Sequence, residues 1–548
     1  MFKNNETPYA RSYIKYGTPF CFPKGCDNVK KRITYRVKNE MVEKVYVYIP
    51  LRYIIALALN VLAILLTIGV VVLLVYFSRV FYLMCLVIQA ACVIRIIASD
   101  DNPDYKVPWL LFVLALPIIG FMLYFMFYSR KLRRRYVRRL RTIKESVYKK
   151  DDSALFEKLR SENIQAYSQA KMLTDISEAH LFTDTKQTYF PSGEELFASL
   201  LADLEHAKHF IFMEYFIIEH GVLWDNILDV LKRKISQGVD VKLVYDDLGC
   251  MTTLPGNYFK TLRKMGIDCA VFSFLRGNAD SEVNNRSHRK ITVIDGVIGY
   301  TGGANLADEY INKRSRFGHW KDSGIRLEGD AVKELTRLFL IDFGINSKKM
   351  PEIRSELFPR GKSVDSGYII PFGDGPMPLY RRRVGKSVIQ NMLNSAVSHV
   401  YMTTPYLIID NDLCMSIENA ALRGVDVRII VPGIPDKKLV YNMTKSYYNR
   451  LMEAGVKIYE YTPGFIHAKN YVADGKYAMT GTINLDYRSL VHHFENGVWM
   501  YGCDAVADIE ADILKTFEES RQVTPDMLKT SLIRRFTRSV VRIFSPLL

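Results

Sequence analysis

One pattern occurs twice in this chain. His288-Arg289-Lys290-Ile291-Thr292-Val293-Ile294-Asp295-Gly296 is followed by Gly302-Gly303-Ala304-Asn305. His467-Ala468-Lys469-Asn470-Tyr471-Val472-Ala473-Asp474-Gly475 is followed by Gly481-Thr482-Ile483-Asn484. With each charged residue type at about 6% of ordinary sequence, a given histidine has Lys and Asp at those offsets with odds of roughly 0.004. For the ten histidines present, two chance hits have odds on the order of 10⁻³. The repeat therefore constrains the fold: the chain builds the same unit twice.

The spacing has a local meaning. Asp-Gly between β-branched runs is a strong signal for a two-residue hairpin. Residues i and i+2 of a strand share a face, so His288 and Lys290 are expected to point one way, as are His467 and Lys469. Asp295 and Asp474 fall in the turns at odd spacing and read as scaffold members of the motif, not proton-transfer partners. The motif as a unit (His288, Lys290, Asp295, His467, Lys469, Asp474) is the candidate catalytic set. The Gly-x-x-Asn that follows is expected to lead into a helix start, where backbone N–H groups suit an oxyanion. Lys290, Asn305, Lys469 and Asn484 are thus the candidate phosphate ligands. Two imidazoles, two lysines and two amides contain no evident metal-ligand set, and no cofactor is implied.

This arrangement resembles the phospholipase D superfamily, whose members carry two such His-Lys-Asp motifs. The resemblance implies two duplicated phospholipase D-type α/β halves packed around one active site. One histidine attacks phosphorus to form a phosphohistidine, and the other protonates the leaving alcohol and deprotonates the incoming one. It assigns His288 as nucleophile, by likeness to members whose first histidine attacks. A nucleophile must be neutral and an acid protonated, and histidine can serve either role near neutral pH. Each imidazole needs an acceptor at its far nitrogen. The family places an acid before a strand downstream of each motif, which here matches Asp322 in Trp320-Lys321-Asp322 and Glu495 in Phe494-Glu495.

The duplication extends beyond the motifs. His209–Ile217, a helix over Asp225–Gln237 and the strand Gly238–Tyr245 are answered by His399–Tyr406, a helix over Asp412–Leu422 and the strand Gly424–Val431. Gly-Val-Asp-Val recurs at the same place in both. Helices are also expected at Tyr258–Met265 and Tyr448–Ala454. Alternating β and α units imply a largely parallel sheet with helices on both faces. The first half is expected over 176–349, a linker over 350–378 and the second half over 379–525.

The N-terminal part reads differently. A basic, Tyr-rich tail over 1–51 shows no clear periodicity and is expected to be weakly structured. An apolar region follows over 52–128, long enough for three transmembrane helices at 53–77, 80–98 and 107–128. Asn102 to Tyr124 resembles the N-terminal membrane segment of bacterial cardiolipin synthases. The linker 129–175 opens with eleven Lys/Arg and one acid between Ser129 and Lys150, which places it on the cytoplasmic side next to anionic lipid. Three spans put the basic tail on the opposite side, against the same rule. The end, 526–548, carries Arg534, Arg535, Arg538 and Arg542 among apolar residues and reads as an interfacial amphipathic segment. The eight cysteines are scattered; Cys21 and Cys26 are the close pair outside the apolar region and read as plain thiols.

Net charge is 74 − 58 = +16, which calls for an anionic partner. Because the basic run adjoins an apolar span, the partner is anionic phospholipid at a membrane, and no nucleic acid is expected. From Asn102 onward the chain resembles bacterial cardiolipin synthase, including Tyr245-Asp246-Asp247-Leu248-Gly249, Thr404-Pro405-Tyr406 and Asn484-Leu485-Asp486-Tyr487-Arg488-Ser489-Leu490. It departs in the basic tail, the extra apolar helix and Gly303, where members often have Ser. The resemblance implies a multi-pass protein of a bacterial cell membrane with a cytoplasmic catalytic domain. It implies that two phosphatidylglycerols give cardiolipin and glycerol, the alternative being a membrane phospholipase D that uses water or another alcohol. Oligomeric state is unreadable.

Overall fold

The computed structural model describes residues 31–37, 40–46, 51–128, 138–139, 142–143, 148, 150–272, 285–348, 350–361, 365–376, 380, 382–529, 531, 540–543 and 545. The first thirty residues, most of the polybasic run and most of the C-terminal amphipathic stretch fall outside these.

The catalytic part is built on one mixed sheet of 15 strands that runs through both halves. From the centre outward, the first half contributes Phe182–Phe190, Gly324–Gly329, Ile298–Gly302, Ile291–Ile294, Phe210–Tyr215, Asp240–Asp246 and Asp268–Phe272. The second half mirrors this with Asp365–Asp374, Glu495–Tyr501, Tyr477–Gly481, Asn470–Ala473, His399–Thr403, Asp426–Pro432 and Lys457–Tyr461, and adds Ser520–Gln522 at its edge. The two halves join where Phe182–Phe190 runs antiparallel to Asp365–Asp374. The expected largely parallel sheet is corrected: within this 15-stranded sheet, parallel pairing is confined in each half to the three strands linked by helical crossovers. A hairpin needs no crossover, so each motif enters the sheet antiparallel.

The helices follow amphipathic periods. Val222–Ser236 buries Leu223, Trp224, Ile227, Leu228 and Leu231, and Asn411–Leu422 buries Leu413, Cys414, Ile417 and Ala420. The helix expected at Tyr448–Ala454 is longer, Lys438–Glu453. Val332–Asn346 is buried along nearly its whole length and packs against strands of the first half and Asp365–Asp374 of the second. It cements the central seam.

Among the described residues, two helices are long and apolar enough to cross a membrane: α1 (Leu51–Phe77) and α2 (Arg79–Ala98). The third expected helix, 107–128, is corrected. The segment folds instead as two helices, α3 (Pro103–Ala115) and α4 (Pro117–Leu123), followed by the π-helical Tyr124–Tyr128. Pro117 disfavours helical geometry at Leu116, which adopts φ −125°, ψ 77°. Pro117 also has no N–H for the carbonyl of Val113, four residues earlier; Gln89 Nε2 on α2 donates to that carbonyl instead, at 2.9 Å. The chain doubles back so tightly that a Cβ on Gly120 would sit 2.1 Å from the carbonyl oxygen of Phe112. Tyr128 therefore returns beside the start of the segment, its hydroxyl 3.1 Å from Ser99 Oγ and bonded to Asp101.

Part of the tail is also more ordered than its sequence suggests, because Lys31–Val37 and Glu40–Tyr46 pair as an antiparallel hairpin.

Candidate active site

Each motif hairpin turns on two residues of positive φ: Asp295 (52°) and Gly296 (68°) in the first, Asp474 (55°) and Gly475 (61°) in the second. That is the type I′ geometry Asp-Gly favours. The Asp295 carboxylate accepts the backbone N–H groups of Lys208, His209 and Phe210 at 2.7–2.9 Å. Asp474 accepts those of Val397, Ser398 and His399. Both aspartates thus anchor the neighbouring strand at the end of the hairpin away from the histidines, as expected of scaffold members of the motif.

The other end carries the chemistry. The strands begin at Ile291 and Asn470, so His288 and Lys290, and His467 and Lys469, lie on the extended lead-in rather than in the strand itself. That lead-in pairs with the opposite half. His288 N donates to the carbonyl of Phe494 at 2.8 Å, and His467 N to the carbonyl of Lys321 at 2.7 Å. This backbone exchange sets the side-chain pairing. His288 Nδ1 lies 2.9 Å from Glu495 of the second half, and His467 Nδ1 lies 2.7 Å from Asp322 of the first. Each histidine is oriented by the acid of the other half, so neither half holds a complete site.

The two centres share one electrostatic environment. Lys290 is buried and donates to the carbonyl of His288 at 2.6 Å; Lys469 does the same to His467. Burial pushes both ammonium groups down, with Lys469 brought to about 8; Glu495 and Asp322 oppose this, while Lys469 adds to the depression of Lys290. Burial likewise lowers His288 to about 3 and His467 to about 4, more than Glu495 and Asp322 can raise them. Both histidines are neutral in the empty site at pH 7. Glu495 and Asp322 are themselves fully buried, and their histidine partners hold both carboxyls below their ordinary values despite the desolvation. The site is therefore a buried cluster with two ionised acids behind two neutral imidazoles.

The asparagines sit differently from expectation. Asn305 Oδ1 accepts from Ile217 N at 3.0 Å and Nδ2 donates to the Tyr310 hydroxyl at 2.8 Å; Asn484 Nδ2 donates to Asp486 at 3.0 Å. No helix starts after either one. A 3₁₀ turn, Asp308–Ile311, follows the first and a π-helical turn, Arg488–His492, the second. The backbone N–H groups of Gly303, Leu306 and Thr482 are spent on carbonyl oxygens. An oxyanion would meet lysines and imidazoles, not a helix N-terminus.

Several residues around the site were given no role by the sequence. Arg289 is buried, donates to Asp342 at 2.7 Å and to the Glu495 carbonyl at 3.0 Å, and so ties the first motif to the second half. Asp246, of the Tyr-Asp-Asp-Leu-Gly run, accepts from Arg286 at 3.1 Å and from Ser287 N at 3.2 Å. Thr482 and Ser489 both donate to Glu495. Trp320 and Tyr310 pack on His467, with ring centres 5.3 and 5.6 Å away. Among the described residues, His288, His493 and Glu495 form a group of three close donor residues, but Lys290 stands beside it and opposes a cation.

A family model described as cardiolipin synthase, phospholipase D-like domain, matches residues 200–323 and again 389–517, one match on each half, and a phospholipase D-nuclease N-terminal model matches 87–127. A cardiolipin synthase of Alkalihalophilus pseudofirmus is 32% identical over 83% of this chain and 91% of its own length. The chain belongs to the cardiolipin synthase family of phospholipase D-type phosphatidyltransferases. A second member, from Geobacillus sp., is 33% identical over 85% of this chain and 92% of its own. An uncharacterized protein of Streptococcus mutans is 41% identical over 83% of this chain and 99% of its own. The crystal structure of phosphatidylserine synthase from Haemophilus influenzae shares the fold, with a TM-score of 0.52 at 15% identity over 70% of this chain and all of that one. With family and membrane helices together, this phosphatidyltransferase is a membrane protein.

Proposed function

We propose that this family member transfers a phosphatidyl group between two phosphatidylglycerols, giving cardiolipin and glycerol through a phosphohistidine on His288. The observation that carries the reading is the crosswise pairing of His288 with Glu495 and His467 with Asp322. Each acid holds the proton on Nδ1 and leaves Nε2 as the reactive nitrogen. The His288 Nε2 lone pair attacks phosphorus, the P–O bond to glycerol breaks, and His467 supplies the proton to the departing oxygen. His467 then takes the proton from the hydroxyl of a second phosphatidylglycerol. The new P–O bond forms as the P–Nε2 bond breaks. Binding of the phosphodiester anion would raise His467 from its empty-site value and charge it for the acid step. Lys290 and Lys469 offset charge on the phosphoryl oxygens in a pocket where desolvation strengthens the interaction, and Asn305 and Asn484 brace the loops beside them.

Whether the acceptor is lipid or water is a matter of concentration. Water is present at about 55 M, so transfer wins only if the acceptor is held and water excluded. The anchoring supports transfer. α1 and α2 are read as a pair of spans that leave and return on one side. α3 and α4 enter from that side and turn back, since Tyr128 ends beside Ser99 and Asp101. The turn before α3 is docked on the catalytic domain: Asn102 donates to Asp410 at 2.9 Å, and Asp104 accepts from Asn411 N at 2.6 Å. Two spans place the basic tail and the catalytic domain together in the cytoplasm, which removes the charge conflict that three spans create. A cysteine placed in the tail, tested with a membrane-impermeant thiol reagent, should be protected in intact cells and labelled in inverted vesicles. Labelling in intact cells would restore three spans.

The activity is tested in phosphatidylglycerol vesicles with both products measured. Cardiolipin and free glycerol in about equal amounts support the synthase. Phosphatidic acid as the main product would make the protein a hydrolase.

A further inference from the structure

The two acids occupy matching positions, and so do the residues two places before them: Trp320 precedes Asp322 and His493 precedes Glu495. In the first half, the indole Nε1–H of Trp320 points at Asp322 Oδ2 from 3.5 Å, and its ring lies against His467. In the second half the same place holds an imidazole. The His493 ring centre is 5.6 Å from that of His288, and its Nδ1 is 3.7 Å from Glu495 Oε1. That nitrogen is buried and, among the described residues, no group lies within hydrogen-bond distance of it; Glu495 stands just beyond that range. A buried polar atom without a partner costs about 1–3 kcal/mol, so its retention beside a carboxylate calls for a reason. Glu495 already accepts from His288, Thr482 and Ser489, and the backbone of His493 is pinned by its N–H to the carbonyl of Arg488 at 2.8 Å. Asp246 lies within electrostatic reach on the other side, with Arg286 beside it, and Phe216 packs against both imidazoles.

We propose that His493 is a positioning residue for His288: its Nδ1 serves as a further donor to Glu495 and steadies that carboxylate while His288 carries the phosphoryl group. When phosphorus bonds to Nε2, the His288 ring gains positive charge and keeps its Nδ1 proton on Glu495. A shift of under about 1 Å brings His493 Nδ1 into hydrogen-bond range of the same carboxylate. Trp320 gives Asp322 a donor already in place, and His493 gives Glu495 one that can move into range as charge appears on His288.

The inference rests on the phosphohistidine reading, and single-turnover trapping on phosphatidylglycerol separates the two. If the full-length wild-type protein forms no lipid adduct on His288, that reading fails. If it does, the rate of adduct formation tests His493. His493→Leu keeps the bulk and removes both nitrogens; His493→Asn puts an amide N–H near the Nδ1 position. Formation should slow on the order of tenfold in the Leu variant with KM within twofold, and recover most of the rate in the Asn variant, the size expected of a group that orients another. A Leu variant at the wild-type rate, an Asn variant as slow as Leu, or a change in KM alone would each overturn the proposal.

Discussion

The two halves of the site use the same backbone and dress it differently. Around His288, Glu495 accepts from Thr482 and Ser489, with His493 alongside. Around His467, Asp322 accepts from Ser323 N at 2.9 Å and meets the Trp320 indole, while Gly303 and Tyr310 stand where Thr482 and Ser489 stand in the other half. Gly303 leaves no room to spare: a Cβ there would lie 2.1 Å from Asp322 Oδ1. One acid is wrapped in hydroxyl donors and the other wedged by aromatic rings and a missing side chain. Two identical side chains thus have different supports, as the proposed division of roles between them requires.

The strongest way to break this comparison is to remove each imidazole. His288→Ala and His467→Ala should each lose at least about 10³-fold in turnover, since groups acting as a unit fail together. The adduct should accumulate in the His467 variant and be absent from the His288 variant; the reverse pattern, read by mass spectrometry, would exchange the roles.

Next come the acids. Glu495→Gln and Asp322→Asn should each cost on the order of 10²–10⁴-fold by allowing the wrong imidazole tautomer. Stopped single turnovers should show Glu495→Gln slowing adduct formation and Asp322→Asn slowing its transfer to lipid. Equal effects on both steps would mean that the halves are functionally alike.

Exchanging the aligned small residues sharpens the contrast. Gly303→Thr pushes Asp322 off His467 and should lower kcat about tenfold, since small misplacements of catalytic groups are costly. Thr482→Gly removes one of several donors to the ionised Glu495 and should cost about tenfold, because a hydrogen bond to a charged group is worth about 1.5 kcal/mol. If Gly303→Thr is harmless, the wedge around Asp322 is not needed.

Stability should respond to pH through the same residues. His288 and His467 have folded-state values near 3 and 4 against 6.5, so the unfolded chain takes up protons first as pH falls. Their contribution is intact above about pH 6.5 and is lost progressively below it. The depressed acids begin to matter only below their ordinary 3.8 and 4.5. The melting temperature should fall from pH 6.5 to 4.5 in the wild type and less steeply in a His288→Asn/His467→Asn variant. Equal slopes would place the acid sensitivity elsewhere.

The smallest expected effect is none. With Lys290 and Lys469 supplying positive charge in both halves, exhaustive chelation should leave the initial rate unchanged. Loss restored by one divalent ion would assign the His288, His493 and Glu495 group to a cation.

Much of this was readable in the residues. The doubled motif, the Asp-Gly turns and the recurring Gly-Val-Asp-Val predict two α/β halves, because hairpins and short crossovers are set by local backbone preference and by apolar period. The acids Asp322 and Glu495 were reached through family likeness and their place before a strand. His493 was not, because two adjacent histidines before a phenylalanine match no motif; only alignment of the halves against Trp320 exposes it. The single helix expected over 107–128 is broken, which was missed because hydropathy counts apolar length and is blind to direction. The break at Leu116-Pro117 is local, but the reversal is held by Gln89, Ser99 and Asp101, which are distant in sequence from Val113 and Tyr128.

By itself, then, the sequence determined the repeat, the residue types gathered at the site and the presence of long apolar helices, since each rests on residue types at short, regular spacing. Tertiary structure decided the rest. Which acid serves which histidine depends on lead-in strands exchanged between halves, with His288 N on Phe494 and His467 N on Lys321. Those contacts join residues 206 and 146 positions apart in the chain, and no local preference encodes them. They form because burying both motifs at one seam satisfies backbone and carboxylate groups that neither half can satisfy alone.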